Sequence, residues 1–273
     1  IPGASVSAVT AMNDRGSMVG FYQDASGQHA FLLKDSRLTT LDAPGDLASV
    51  AYDIDDAGRV VGAFVGASGL PHGFLYAKGV RTTIDVPGSA DTVLQGINAS
   101  GDIVGTYDGS QPITHGFVLR KGTFRRIDTP YGAQSQATGI NDPGVIVGNG
   151  WNAADDLPPA FELRNGQFTR FDFPGAAITF PLAITNRGDL AGRFLDPDGT
   201  MWSMVTVGGH PYRDGAAGVA EIPRERGLRG QHDREAARPE GFDETLDGLR
   251  HLGDERAHGR ETRDEHGRRR LAP

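Results

Sequence analysis

The stretch Leu94–Tyr107 reads LQGINASGDIVGTY, and its reading decides the fold. Asn98 and Gly101 bracket a tight turn. The Asn side chain caps the backbone two residues on, and glycine takes the positive φ that other residues resist. A short strand ends at Ile97-Asn98 before the turn. After it comes IVGTY, where Val104 and Tyr107 project to opposite faces, as the two-residue period of a strand requires. The same text recurs as SAVTAMNDRGSMVGFY (7–22), VAYDIDDAGRVVGAF (50–64), ATGINDPGVIVGNG (137–150) and PLAITNRGDLAGRF (181–194). The turn glycines Gly16, Gly58, Gly101, Gly144 and Gly188 stand 42 to 44 residues apart.

Further along each copy a third strand opens on a short motif: His29-Ala30-Phe31, His72-Gly73-Phe74, His115-Gly116-Phe117, Pro159-Ala160-Phe161 and a decayed Trp202-Ser203-Met204. Two-residue hairpin signals, Lys78-Gly79, Lys121-Gly122 and Asn165-Gly166, join it to a fourth strand. Four copies then close with Asp-x-Pro, at Asp42, Asp85, Asp128 and Asp172. Four antiparallel strands in about 43 residues is the period of a propeller blade. One blade cannot bury both faces, but stacked blades cover one another. The expected fold is therefore an all-β, five-bladed β-propeller of four-stranded antiparallel blades over residues 1–208, with repeats at about 4–45, 46–88, 89–132, 133–175 and 176–208. An open solenoid is the rival. The expected core is a recurring ladder: Met12, Ile54, Ile97, Ile140 and Ile184 on strand one; Val19, Val61, Val104, Val147 and Ala191 on strand two; Phe31, Phe74, Phe117, Phe161 and Met204 on strand three; Leu41, Ile84, Ile127 and Phe171 on strand four.

The ordered recurrence of INxxGxIVGxY, H[AG]F and DxPG resembles the bacterial HAF family of extracellular repeats, named for His-Ala-Phe. The resemblance covers residues 1 to about 208, and copies four and five depart from it where Pro159 and Trp202 replace the histidine. It implies a secreted or surface propeller-like protein in a bacterium and no particular activity.

Composition narrows the function classes. Glycine, 39 of 273 residues, is about twice its usual share and suits a turn-rich β chain. The net charge of −8 gives no electrostatic case for nucleic acid or an anionic membrane. Without cysteine there are no disulfides, thiolate nucleophiles or Cys-based zinc sites. No run of about 18 apolar residues could span a membrane, and IPGASVSAV at the start has no signal-peptide pattern. From Gly209 the text becomes dense in Arg, Asp, Glu, Gly and His without lysine, so residues 209–273 read as a solvated, largely disordered tail. The abrupt change inside copy five reads as a shift of reading frame, which aligning the nucleotide sequence in other frames would show. It leaves copy five without its fourth strand. Either HPYRDGAAG (210–218) is recruited, or an open edge pairs with a second copy of the chain as a homo-oligomer.

Before the tail, every histidine lies in the repeat motif: His29, His72 and His115. A three-His metal site is the first thought. Strands sit about 4.8 Å apart, which puts a third strand roughly 15 Å from a propeller axis and its neighbouring equivalents roughly 17 Å from one another. Zinc needs every ligand at about 2 Å. The histidines are therefore expected to be architectural, each hydrogen-bonding a turn backbone. No histidine is expected to activate a serine, and no nucleophile elbow, phosphate loop or HExxH appears.

A site is expected at the mouth formed by the loops into strands one and three, rich in Asp, Ser, Thr, Gln and Asn. Such a surface suits a glycan or another polyhydroxylated small molecule, or a divalent cation held by oxygen. Residues that break the repeat are the candidates. Asp53 is a carboxylate where other copies are small, and Arg193 is its candidate partner across the ring. Tyr52 and Gln95 lie beside Asp53, Asn149 departs from the second-strand series, and Trp151 and Trp202 could stack on a sugar. Filling a gap between divergent blades is the other reading of both tryptophans. Asp155-Asp156 and Asp196-x-Asp198 resemble fragments of calcium loops. Two functions follow: a ligand-binding or surface-interaction propeller, or a hydrolase of esters or phosphoesters in which Asp53, with Arg193 as its catalytic partner, and oxygen ligands activate water at the central channel, with a metal assisting; a purely structural Asp53–Arg193 ion pair is the other reading of those two residues.

Overall fold

The computed structural model describes residues 1–109, 113–151 and 158–208, and beyond them the backbone of four short strands between 210 and 270. Packing divides the chain into two compact units, separated between Val93 and Leu94. The described residues contain strands and turns and no helix.

The first unit holds β1 (Val6–Met12), β2 (Met18–Asp24), β3 (Gly27–Lys34), β4 (Arg37–Thr40), β5 (Ala48–Ile54), β6 (Val60–Val65), β7 (Pro71–Ala77) and β8 (Val80–Thr83). β1–β4 and β5–β8 are two antiparallel up-and-down meanders, joined by a single parallel bridge between Gln28 and Ala48. The second unit continues from β9 (Asp91–Ile97) through β10 (Ile103–Asp108), β11 (Thr114–Arg120) and β12 (Thr123–Ile127), then β13 (Gln134–Ile140), β14 (Ile146–Trp151), β15 (Ala160–Arg164) and β16 (Gln167–Phe171). β17 (Ile178–Ile184), β18 (Leu190–Leu195), β19 (Met201–Val207) and β20 (His210–Arg213) follow, and each group of four is again an antiparallel sheet. In the last sheet HPYR is recruited: β20 pairs with β19, and β21 (Ala220–Glu221) with β20.

Hairpin chemistry sets these pairings. Lys78-Gly79, Lys121-Gly122 and Asn165-Gly166 all have positive φ at both positions, the geometry of a type I′ turn. Asp35-Ser36 adopts the same turn with no glycine, at φ 49° and 60°. The first strand of four repeats, β1, β5, β13 and β17, carries a β-bulge, seen as register shifts at Val9/Ala11, Ala51/Asp53, Ala137/Gly139 and Pro181/Ala183. The bulge drives a carbonyl over the facing strand. A Cβ on Gly20, Gly62, Gly148 or Gly192 would lie 1.9–2.2 Å from the carbonyl oxygen of Ala8, Val50, Gln136 or Phe180. Glycine is compulsory there because no side chain fits, whatever its φ.

The Asn-x-x-Gly turns do more than close a strand pair. Asn13, Asn98 and Asn141 each accept a backbone N–H four residues on, from Ser17, Asp102 and Val145. Their side-chain amides also reach into the next repeat: Asn13 Nδ2 to Asp55 O (2.9 Å), Asn98 Nδ2 to Asn141 O (3.1 Å) and Asn141 Nδ2 to Thr185 O (3.0 Å). The bulge threonines add a second tie, Thr10 Oγ1 to Ala51 O and Thr138 Oγ1 to Pro181 O, both 2.6 Å. Asp55 has no amide to donate, and its carboxylate takes Arg59 instead.

The apolar ladder packs between repeats within each unit. Val19, Ala30, Leu41, Ala51, Ile54, Val60 and Phe74 form one cluster, and Val104, Val118, Ile127, Ala137, Ile140, Ile146 and Phe161 another. The third-strand residues Phe31, Phe74, Phe117, Phe161 and Met204 are all buried, each contributing about 1.5–3 kcal/mol over an exposed position. The ladder fails at Met12, which is 61% exposed on a β1 that also exposes Val6 and Val9, and at Ala191, which is exposed on β18, while Ile84, Phe171 and Ile184 are only half-buried. A buried ion pair supports the seam in the first unit: Arg81 reaches Asp46 and Leu41 O, its guanidinium 4.0 Å from the Phe64 ring centre.

Candidate functional site

Two of the three repeat histidines, His29 and His72, are held by carboxylates, which corrects the expectation of a turn-backbone partner. His29 Nδ1 meets Asp42 Oδ2 at 2.5 Å and His72 Nδ1 meets Asp85 Oδ2 at 2.9 Å. Both partners are the Asp of Asp-x-Pro, 13 residues after the histidine. That spacing carries the chain along the third strand, round the hairpin and back along the fourth, so the two side chains arrive side by side. The constant interval was visible in the sequence and is the signal that linked the motifs. On the other side each imidazole leans on an aromatic ring of the second strand: Tyr22 at 5.0 Å, Phe64 at 5.4 Å and Tyr107 at 5.4 Å from His29, His72 and His115.

Serines also lie within reach, against the sequence expectation. Ser26 Oγ is 2.9 Å from His29 Nε2, and Ser68 Oγ is 3.3 Å from His72 Nε2. Both sit in the loop that turns the chain from the second strand to the third, three or four residues before the histidine. Around His29 the set is crowded. Asp24 Oδ1 accepts from Ser26 Oγ at 2.5 Å and stands 3.2 Å from His29 Nε2. Burial lowers the imidazole pKa, but the hydrogen bonds and charges of Asp42 and Asp24 outweigh it and raise the pKa above its ordinary value. Hydrogen bonds from Ser26 hold Asp24 below its own.

The third copy breaks the pattern. Asp128 pairs with Arg126, and its side chain is 62% exposed against 21% for Asp42. His115 Nδ1 is left buried with no hydrogen-bond partner among the described residues. Burial, and then the charge of Arg126, depress the His115 pKa. Beside it opens a cavity of about 510 Å³ lined by Gly109, Ile113, His115, Arg126, Asp128, Gly132 and Ala133.

The cause is one residue in the following turn. Ala43-Pro44-Gly45-Asp46, Val86-Pro87-Gly88-Ser89 and Phe173-Pro174-Gly175-Ala176 are type II turns. They close with Asp46 N, Ser89 N and Ala176 N on the carbonyls of Ala43, Val86 and Phe173 at 3.0–3.1 Å, with glycine at φ 79–95°. The third copy has Tyr131 at the glycine position, and Tyr131 is not among the residues with positive φ. A tyrosine resists that region, so the turn is rebuilt. Its ring packs edge-on against Phe168, 6.5 Å away, and Tyr131 N donates to Thr129 Oγ1.

Asp53, in the first unit, accepts Ile54 N through Oδ1 at 2.8 Å, whereas Arg193 is exposed on β18 of the second. Tyr52 is the bulge residue of β5. Gln95 occupies the corresponding place on β9, its Oε1 buried without a hydrogen-bond partner among the described residues. Asn149 lies buried on β14. It is 2% exposed and its amide is committed to Thr179 O (2.8 Å) and Pro158 O (3.4 Å). Trp202 packs against Phe173, Phe194 and Met204, so gap filling explains it, and Trp151 is half-buried on β14 opposite Gln134. Asp196 and Asp198 build a turn: Gly199 N bonds Asp196 O and Thr200 N bonds Asp198 Oδ1, bonds from Thr200 lowering the Asp198 pKa. Asp155-Asp156 lie outside the described residues, as does nearly all of the tail. Among the described residues no three His, Asp or Glu side chains are grouped to hold a metal ion.

With the sheets and the site in view, the chain can be set beside known proteins. A TolB-like protein from Agrobacterium tumefaciens superposes with a TM-score of 0.56 at 13% identity, over 76% of this chain and 79% of that one. The fold is that of a β-propeller. TolB from Acinetobacter baumannii superposes at 0.51 with 12% identity over 70% of this chain, which spans 50% of that protein's length. The lectin of Aleuria aurantia, a six-bladed β-propeller with a fucose recognition mode, reaches a TM-score of 0.46 at 11% identity, over 80% of this chain and 78% of the lectin. No family model and no curated protein sequence matches this chain. No helix among the described residues is long and apolar enough to cross a membrane.

Proposed function

We propose that this propeller protein, with repeats of the HAF type, acts outside or on the surface of a bacterium, binding a glycan or other polyhydroxylated ligand in the cavity beside His115. One observation carries the reading: the third His–Asp pair is open while two others are closed, and a cavity stands where it opened. Arg126 offers fixed donors, Asp128 acceptors, and His115 Nδ1 an uncommitted ring nitrogen, while Ile113 supplies an apolar wall. Alternating donors and acceptors beside an apolar patch suit sugar hydroxyls and a C–H face. At about 510 Å³ the cavity lies within the range of small-molecule sites.

A glycan array tests this. The protein is expected to select a small group of glycans, and Arg126→Ala and His115→Ala to lose that binding with unchanged circular dichroism. Flat binding across the array, or selective binding that both variants retain, would overturn the assignment.

A further inference from the structure

We propose that Ser68, His72 and Asp85 form a serine nucleophile, general base and orienting carboxylate that cleave activated carboxylic esters, a second activity independent of the ligand cavity. The hydrogen-bonding order is that of a Ser-His-Asp triad: Ser68 Oγ to His72 Nε2 at 3.3 Å, and His72 Nδ1 to Asp85 Oδ2 at 2.9 Å. Asp85 Oδ1 accepts Gly73 N at 3.2 Å, which fixes the carboxylate. A carboxylate on Nδ1 keeps the proton there and leaves the Nε2 lone pair facing the hydroxyl. A distance of 3.3 Å is usual for such a pair before substrate tightens it.

The first repeat shows why the second is the reactive one. Its equivalent trio, Ser26, His29 and Asp42, is closed off by Asp24, which accepts the serine's hydrogen bond and flanks Nε2. The position of Asp24, four residues after the second-strand glycine, is Gly66 in the second repeat. A Cβ on Gly66 would lie 3.8 Å from the His72 ring, so a side chain fits there and glycine is not dictated by space. With no carboxylate at that position, His72 faces Ser68.

In the reaction Ser68 Oγ bonds to the ester carbonyl carbon as its proton passes to His72 Nε2. The tetrahedral adduct collapses, the ester C–O bond breaks, and His72 returns the proton to the leaving oxygen. Water then attacks the acyl-serine with His72 taking its proton, and the serine hydroxyl and a carboxylic acid are released. Leu70 N–H donates to Ser68 Oγ at 3.3 Å and so orients the nucleophile, which leaves the leaving group to carry the developing charge that backbone donors carry in dedicated acyl-transfer sites. That confines the substrates to esters with good leaving groups, such as aryl acetates, whose ring can rest on exposed Leu70.

The test uses the whole protein with a fluorophosphonate probe and an aryl acetate, followed by peptide mass spectrometry. Labelling and acetylation are expected on Ser68, falling at least tenfold in Ser68→Ala and His72→Ala. Gly66→Asp, which rebuilds the first repeat's arrangement, is expected to suppress labelling at least tenfold with unchanged circular dichroism. No label on Ser68 in the wild type, or undiminished labelling in Gly66→Asp, would overturn the assignment.

Discussion

Tyr131→Gly should close the ligand cavity. Glycine permits the positive φ that the other three Asp-x-Pro turns use, so the turn can take their type II form and bring Asp128 back to His115. The variant loses the edge contact of Tyr131 with Phe168, a ring pair of about 0.5–1.5 kcal/mol, and gains a hydrogen bond to a charged group of about 1.5–3 kcal/mol. Any ligand using His115 Nδ1 must then displace Asp128, weakening its binding about 10- to 150-fold. An NMR titration of His115 needs no ligand. Its pKa, held low by burial and Arg126 in the wild type, should move upward once a carboxylate replaces that environment. The pH dependence of stability should change sign with it. In the wild type the folded pKa lies below the unfolded one, so the unfolded chain binds more protons between them and stability rises with pH. In the variant the folded pKa lies above, so the gain is complete below the unfolded pKa and is lost as pH rises through the folded one. A His115 pKa still depressed in Tyr131→Gly, with glycan affinity unchanged, would show that this turn does not govern Asp128.

Gly148→Ala should lower stability by about 3 kcal/mol in urea unfolding, because its Cβ would sit 1.9 Å from Gln136 O; a loss under about 0.5 kcal/mol would mean the bulge yields freely. Asn141→Ala removes both the turn cap and the tie to Thr185 O, and should cost about 2–3 kcal/mol by the same measurement. His29→Gln should remove a pH-dependent part of stability. The raised folded pKa stabilises fully below the unfolded pKa, and that contribution fades as pH climbs through the folded one, so wild type and variant should converge towards alkaline pH in thermal melts.

Much of the architecture was legible because it depends on short-range chemistry repeated five times. Turn residues, hairpin pairs and strand alternation act within a few residues, and their recurrence every 42 to 44 residues gave both the sheets and the buried ladder. The ladder misled at Met12 and Ala191, since burial requires a neighbour packed over the strand and the repeat pattern does not show whether one is there. Trp202 and Asn149 looked functional as departures from the repeat, yet both serve packing or backbone satisfaction. Odd residues fill gaps between repeats as readily as they bind ligands, and a sequence does not show the gap.

By itself the sequence determined the strand order, the turns and the identity of the buried phenylalanines, because periodicity and φ preference are local properties. Only the tertiary structure decided what the histidines do. Thirteen residues separate His72 from Asp85 along the chain, and the hairpin brings them to 2.9 Å. The same fold leaves His115 Nδ1 unpaired because Tyr131 sits where the turn needs glycine. Proton affinity and ligand reach depend on such distances through space, which the folded strands set.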